Sequence, residues 1–197
     1  MSFDFFRTYQ LGMYGSTVPQ GLEWVPYGSC KLSDGAAQKR ARHCFTDDRR
    51  FESLWTHDVA RRRATETLVA CTVPDFSMAA TSDPLYSVMQ LTRMHLVGCE
   101  LQRLGEINGC RVVPVLAWPA PVMELLDFAT AFITPGATCA VRAHGGFVTP
   151  AFLSALDYCR ERIRWDRLLW VGPLPEDQTT LSEIEVIQNG RGATQTQ

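Results

Sequence analysis

The sequence predicts an α/β fold with a mostly parallel sheet of about five strands that alternate with helices. Two observations predict this class: apolar, β-branched runs recur along the chain, and segments with helical periodicity separate them. The strand segments are almost continuously apolar, which is typical of parallel strands covered on both faces. Five strands fit an open doubly wound sheet or a partial barrel, and are too few for a complete eight-stranded barrel.

The first half of the predicted domain contains two strands and two helices. Residues 43–48 (HCFTDD) are a short strand that ends in two acidic residues, and residues 51–68 are a helix. Residues 68–77 (LVACTVPDFS) are an apolar strand that ends at a Pro-Asp pair. Residues 84–105 are a long helix with an apolar face, and Gly105 is a natural terminator.

The second half continues the same alternation. The predicted strands are 110–119 (CRVVPVLAWP), 137–146 (ATCAVRAHGG) and 167–172 (RLLWVG). The helices 121–132 and 150–164 connect them. A strand–helix–strand order of this kind predicts a parallel sheet with helices packed on it.

The chain divides into three predicted segments. Residues 1–42 are irregular and rich in aromatic side chains, and Gly and Pro residues interrupt them. Residues 43–176 form the α/β domain. Residues 177–197 are a polar tail that we expect to be flexible.

Composition restricts the partners of this protein. Its net charge is -2, from 19 basic and 21 acidic residues, so the surface as a whole does not favour non-specific nucleic-acid binding. A basic stretch at 39–63 leaves nucleic acid as a weakly supported partner. No apolar run is long enough to span a membrane, and the start of the chain lacks the pattern of a secretory signal. The seven cysteines are scattered, without a CxxC pair, which favours reduced thiols and a cytoplasmic protein.

Polar and aromatic residues follow four of the predicted strands. Because parallel strands place their carboxyl ends on one rim, these residues are expected to converge there: Asp47, Asp48, Arg50, Asp75, Ser77, Trp118 and His144. Asp47, Asp48, Asp75 and His144 are the candidate catalytic residues, acting as a general acid and base. Asp48 and Asp75 are the candidate ligands of Mg²⁺ or Mn²⁺. Arg50 would bind a phosphate or carboxylate group, with Ser77 and Trp118 as further substrate contacts.

Each of these residues also has a structural interpretation. Asp48 suits the N-cap of the following helix, and Asp75 after Pro74 suits a turn. Arg50 could pair with Asp47, and His144 could be an ordinary loop residue. Cys44 lies next to His43, but neighbouring strand residues point to opposite faces, so we expect no nucleophilic dyad there.

The order of motifs resembles a known family. The segments FTDDRRFESLW, VPDFS, TRMHLVGCELQRLG, VVPVLAWP, AVRAHGG and LLWVG, over residues 43–173, resemble the domain of unknown function 4417, which is common in phages, prophages and plasmids. The resemblance implies an α/β domain from a mobile element, located in the cytoplasm of a bacterial host, and brings no established activity. It adds Arg93 to the candidate substrate contacts. The chain departs from the family pattern at Leu91, His95 and Val171.

Two functions remain open on this basis. The first is a phage or mobile-element accessory protein that binds a host or phage protein and modulates replication, recombination or transcription. The alternative is a metal-dependent enzyme that acts on a nucleotide or another phosphate-bearing substrate at the carboxyl rim. The sequence leaves open whether the protein is an enzyme.

Overall fold

The computed structural model confirms the α/β class. It describes residues 12–27, 40–45, 48–66, 68–76, 84–118, 123–143, 148–174 and 184–187. The strands within this part of the chain are β1 (Glu23–Pro26), β2 (Arg40–His43), β3 (Ala70–Thr72), β4 (Arg111–Val113), β5 (Val115–Leu116), β6 (Cys139–Arg142), β7 (Leu168–Val171) and β8 (Ile184–Ile187). The helices are α1 (Asp48–Thr56), α2 (Asp58–Thr65), α3 (Pro84–Asn108), α4 (Met123–Thr130) and α5 (Pro150–Ile163).

All the strand pairs are parallel and follow the chain in order. The strands form two four-stranded sheets, ordered β1-β2-β3-β4 and β5-β6-β7-β8. Only Pro114 separates β4 from β5, and proline has no N–H to donate to a sheet. Its carbonyl still accepts the backbone N–H of Ala140. Within each sheet, every strand lies beside the one before it in the chain, as in a barrel, whereas the order of a doubly wound sheet reverses at a switch point.

The strand count differs from the prediction of about five. Eight strands lie within the described residues, because Pro114 divides segment 110–119 and two short edge strands add to the count. One edge strand, β1, lies in the segment predicted to be irregular, and the other, β8, lies in the predicted tail. The predicted helix 51–68 is two helices, because His57 has extended backbone angles (φ -132°, ψ 121°). The subdivision of the chain into three segments stays a prediction.

The sheet curls so that its two edges approach each other at the amino ends of the strands. The guanidinium of Arg167, just before β7, donates a hydrogen bond to the carbonyl of Val18, which precedes β1. These two residues line a polar cleft of about 650 Å³ together with Asp166 and Glu185. On the helix side of the same sheet, Trp170 of β7 packs against Phe152 of α5.

The segment before β1 is part of the core. Ser16 donates its N–H to Val112, and the N–H of Thr138 bonds the carbonyl of Ser16, so this segment links the two sheets. The hydroxyl of buried Tyr14 bonds Nδ1 of His95 at 3.1 Å. The Tyr14 ring packs on Gly98 of α3, where a Cβ would lie 2.6 Å from the ring. Packing in the core thus accounts for Tyr14, one of the aromatic residues of this segment.

No helix in the described ranges combines the length and apolar character that a bilayer crossing requires.

Candidate functional site

Three charged or polar side chains meet at the carboxyl ends of the strands. Side chains alternate between the two faces along a strand. The pairing of β2 with β3, of β3 with β4 and of β5 with β6 places His43 of β2 and Arg142 of β6 on the same face. Asp75 lies three residues beyond β3. It reaches Arg142 although β4 and β5 separate the two strands, because the sheet is curved.

Asp75 is the carboxylate at the centre of this group. Its side chain is 16% exposed, and its Oδ2 lies 4.0 Å from Nη1 of Arg142. Burial raises the pKa of Asp75 to about 6; the charge of Arg142 opposes this rise and the charge of Asp48 adds to it. A carboxyl group with such a pKa exchanges protons near neutral pH, as a general acid or base must.

Arg142 is the cation of the site, and the strand-end analysis of the sequence did not select it. Its side chain is 30% exposed, and its contact with Asp75 is long for an ion pair. Part of the guanidinium therefore remains available to an anion. The signal in the sequence is an arginine at the end of the apolar run TCAVR, since a strand buried on both faces seldom carries a charge.

His43 completes the group and is fully buried. Among the described residues, neither of its ring nitrogens has a hydrogen-bond partner. Burial, with a smaller contribution from the charge of Arg142, lowers the pKa of His43 to about 4. The imidazole is therefore neutral at pH 7. Buried polar groups without partners are rare, and functional sites are one place where they persist.

The predicted acidic and basic residues divide into two groups. Asp48 begins α1 and is near enough for its charge to act on Asp75, so the structure brings these two together. Arg50 lies exposed in the first turn of α1. Asp47, Ser77 and His144 lie outside the described residues.

Trp118 lies two residues beyond β5 and is half-buried. Its ring packs on Phe152 of α5 with the ring centroids 5.4 Å apart. Phe152 in turn contacts Trp170. Trp118 thus belongs to an aromatic stack on the helix side of the sheet, whereas Arg142 is on the opposite face.

Arg93 joins three parts of the fold. Its Nη2 donates to Oε1 of Glu52 in α1 at 2.6 Å. Its guanidinium carbon lies 4.2 Å from the Phe76 ring centre and 5.0 Å from that of Trp55. Glu52 and Trp55 belong to the FESLW motif and Phe76 to the PDFS motif, so packing around Arg93 accounts for much of both motifs. A substrate contact for Arg93 stays a prediction.

The metal prediction rests on residues that are only partly described. Asp48 and Asp75 provide two carboxylates, with Arg142 beside Asp75. In the described part of the chain, no three His, Cys, Asp or Glu side chains are grouped to hold a metal ion. The candidates Asp47 and His144 lie outside that part.

A close backbone contact lies immediately beyond Arg142. Gly172 follows β7 with a φ of 116°, and a Cβ at this position would overlap the carbonyl oxygen of Ala143. The N–H of Ala143 also bonds the carbonyl of Val171. Only glycine allows the two chain segments that follow β6 and β7 to approach this closely.

Comparison with known proteins finds a similarity to a phage protein. The chain is 30% identical over 105 residues to the Gene 1 protein of Mycobacterium phage D29. The aligned region covers 53% of this chain and 37% of the phage protein. The match thus spans little more than a third of that relative. No family model matches the chain, so the resemblance to the domain of unknown function 4417 stays a prediction. No solved structure matches it either.

Proposed function

We propose that this chain is a phage accessory protein whose carboxyl rim binds a nucleotide or another phosphate-bearing ligand. The observation that carries the proposal is the partly exposed guanidinium of Arg142, 4.0 Å from the Asp75 carboxylate at the ends of parallel strands. Ligands of parallel α/β folds bind at this end of the sheet. The similarity to a mycobacteriophage protein supports the phage setting.

Each residue has a distinct role in the proposal. Arg142 binds the phosphate oxygens, since guanidinium and phosphate form strong, charge-assisted hydrogen bonds. Asp75 donates or accepts a proton at the bound group. If the protein is a metal-dependent enzyme, Asp48 and Asp75 would hold Mg²⁺ or Mn²⁺, and the metal would neutralise charge on the bound phosphate.

Thermal melting with inorganic phosphate and adenosine monophosphate tests this proposal, with Mg²⁺, Mn²⁺ or EDTA as separate arms. A ligand at a hundred times its Kd stabilises the native state by about 2.7 kcal/mol. For a chain of this size, that corresponds to a rise in Tm of roughly 5 to 10 °C. We expect this rise in the wild type and its loss in Arg142→Gln.

Arg103→Gln is the matched control, because Arg103 pairs with Glu100 on the exposed side of α3. It is expected to keep the full rise in Tm. The proposal would be contradicted if Arg142→Gln showed the same rise in Tm as the wild type. It would also be contradicted if no probe raised the Tm of the wild type at millimolar concentration. A rise that needs Mg²⁺ or Mn²⁺ and disappears with EDTA would support the metal-dependent form.

The second candidate function is the binding of a host or phage protein that takes part in replication, recombination or transcription. The observation that favours it is a group of large apolar side chains exposed in the first two turns of α3: Leu85, Tyr86 and Met89. Residues spaced by three and four positions share one side of a helix, so these side chains form one surface. Helical surfaces of this kind dock into apolar grooves of partner proteins.

A variant of α3 tests the second function. The tagged chain and its Met89→Asp variant would be purified from phage-infected bacteria together with the proteins that bind them. Each bound protein would then be purified by itself, and its affinity for the wild type and for the variant would be measured by titration. We expect direct binding to the wild type and at least tenfold weaker binding to a variant of equal Tm. Equal binding of both forms would remove α3 as the docking surface.

A further inference from the structure

The proposed phosphate site assigns no role to His43, yet burial of this histidine is costly. The imidazole is fully enclosed at the end of β2, and within the described ranges its nitrogens have no hydrogen-bond partner. Phe45 packs beside the ring at 5.7 Å between centroids. An apolar residue of similar size would avoid the penalty of an unpaired buried polar group. The presence of a titratable ring beneath an anion site therefore calls for a physical reason.

We propose that His43 is a positioning residue of the phosphate site: a phosphate group bound at Arg142 causes the buried imidazole to take up a proton, so that binding and protonation are coupled. This inference rests on the proposed phosphate site. His43 acts through Arg142 and through the field of the ligand, since its enclosed nitrogens do not reach the surface. It is therefore distinct from the residues that contact the ligand.

The charges around His43 explain the coupling. In the free protein, burial and the charge of Arg142 on β6 both disfavour the imidazolium, and the pKa is about 4. A dianion bound at Arg142 compensates the charge that disfavours the imidazolium and adds negative charge near it, which raises the pKa of His43. Asp75 and Asp48 are further charged groups among the described residues of the rim, and the charges of Arg142 and Asp48 both act on Asp75. The coupling makes the site bind dianions more tightly as the pH falls.

Isothermal titration calorimetry with inorganic sulfate tests the coupling, because sulfate keeps its charge between about pH 5.5 and pH 8. We expect sulfate to bind at least about threefold more tightly at the lower pH. Titrations in buffers with different ionisation enthalpies should report uptake of a fraction of a proton per sulfate at the lower pH. Asp75 lies beside Arg142 and also titrates near pH 6, so the histidine is tested in the Asp75→Asn background. In that background, His43→Leu should remove both the pH dependence and the proton uptake.

Two further variants separate His43 from other titrating groups. His57→Gln changes an exposed histidine and should behave as the wild type. Asp75→Asn should keep the proton uptake, and its loss in that variant would assign the proton to Asp75 and overturn the inference. Uptake that persists in the double variant Asp75→Asn, His43→Leu would also overturn it.

The failures of the two proposals are distinguishable. Sulfate binding with the same affinity at each pH and without proton uptake in the wild type would overturn the coupling and leave the phosphate site intact. The absence of sulfate binding at every pH would overturn both. Both of these measurements use the wild-type chain, so they decide the matter even if His43→Leu folds poorly.

Discussion

Gly172→Ala is expected to destabilise the protein by more than about 4 kcal/mol, or to prevent folding. Two costs add up at this position. The φ of 116° is unfavourable for any residue with a Cβ, which costs about 1 to 3 kcal/mol. The new Cβ would also overlap the carbonyl oxygen of Ala143, and only separation of the chains after β6 and β7 relieves this contact. Urea denaturation followed by circular dichroism measures the loss.

Gly136→Ala is the matched control for this change. Gly136 also has a positive φ, of 80°, but a Cβ at this position would have no heavy atom within 4 Å. We expect a loss of about 1 kcal/mol there, from backbone strain alone. Equal losses for the two variants would show that the contact with Ala143 contributes nothing, and that the strand ends which carry Arg142 are not held by this packing.

Acid is expected to destabilise the protein as the pH falls from 6.5 toward 4, mainly through two buried histidines. Burial lowers the pKa of both His43 and His95 to about 4. The unfolded chain binds their protons near pH 6.5, so the stability that neutral histidine provides is present above pH 6.5 and is lost as the pH falls toward 4. Each histidine contributes a loss of about 3 kcal/mol by pH 4. A stability of 5 to 15 kcal/mol is typical for a domain, so their sum is a large part of it.

Asp75 acts in the opposite direction. Its folded pKa of about 6 is above the ordinary value for aspartate, so the folded state binds this proton more readily than the unfolded chain does. Stability from this group therefore rises as the pH falls from about 6 toward 4, by at most about 3 kcal/mol. The two histidines together outweigh it, and the net effect of acid remains destabilising.

The free energy of unfolding measured by urea from about pH 5 to pH 8 checks the histidine contribution. His43→Leu is expected to be at least as stable as the wild type at pH 7.5 and about 2 kcal/mol more stable at pH 5, because it removes a group that must be kept neutral. His57→Gln, at an exposed position, should leave the pH profile unchanged. A His43→Leu profile that runs parallel to the wild type would show that His43 titrates normally in the folded protein.

His95 differs from His43 because its nitrogens have partners. Nε2 lies 2.8 Å from the carbonyl of Phe128, so this nitrogen carries the proton and donates. Nδ1 therefore accepts the hydroxyl hydrogen of Tyr14. A buried histidine can thus be satisfied in this fold by ordinary packing of α3 against α4 and the segment before β1. The contrast supports a special role for His43 at the rim.

The alternation of strands and helices could be predicted from local patterns. Apolar runs and helical periodicity depend on near neighbours, so α3, α5, β6 and β7 lie close to their predicted positions. The short edge strands β1 and β8 carry no such pattern, since partly exposed strands of four residues alternate too briefly to be recognised. Their pairing depends on the neighbouring strands β2 and β7.

The sequence by itself determined the fold class. It also determined which end of the sheet carries the candidate site, because parallel strands bring their carboxyl ends to one edge. It also singled out Asp48 and Asp75. Only the tertiary structure decided that Arg142 and His43 join them, and that Arg93 packs between Glu52, Trp55 and Phe76. The physical reason is that strand order, register and sheet curvature set which distant side chains meet, and these arise from contacts far apart in the chain.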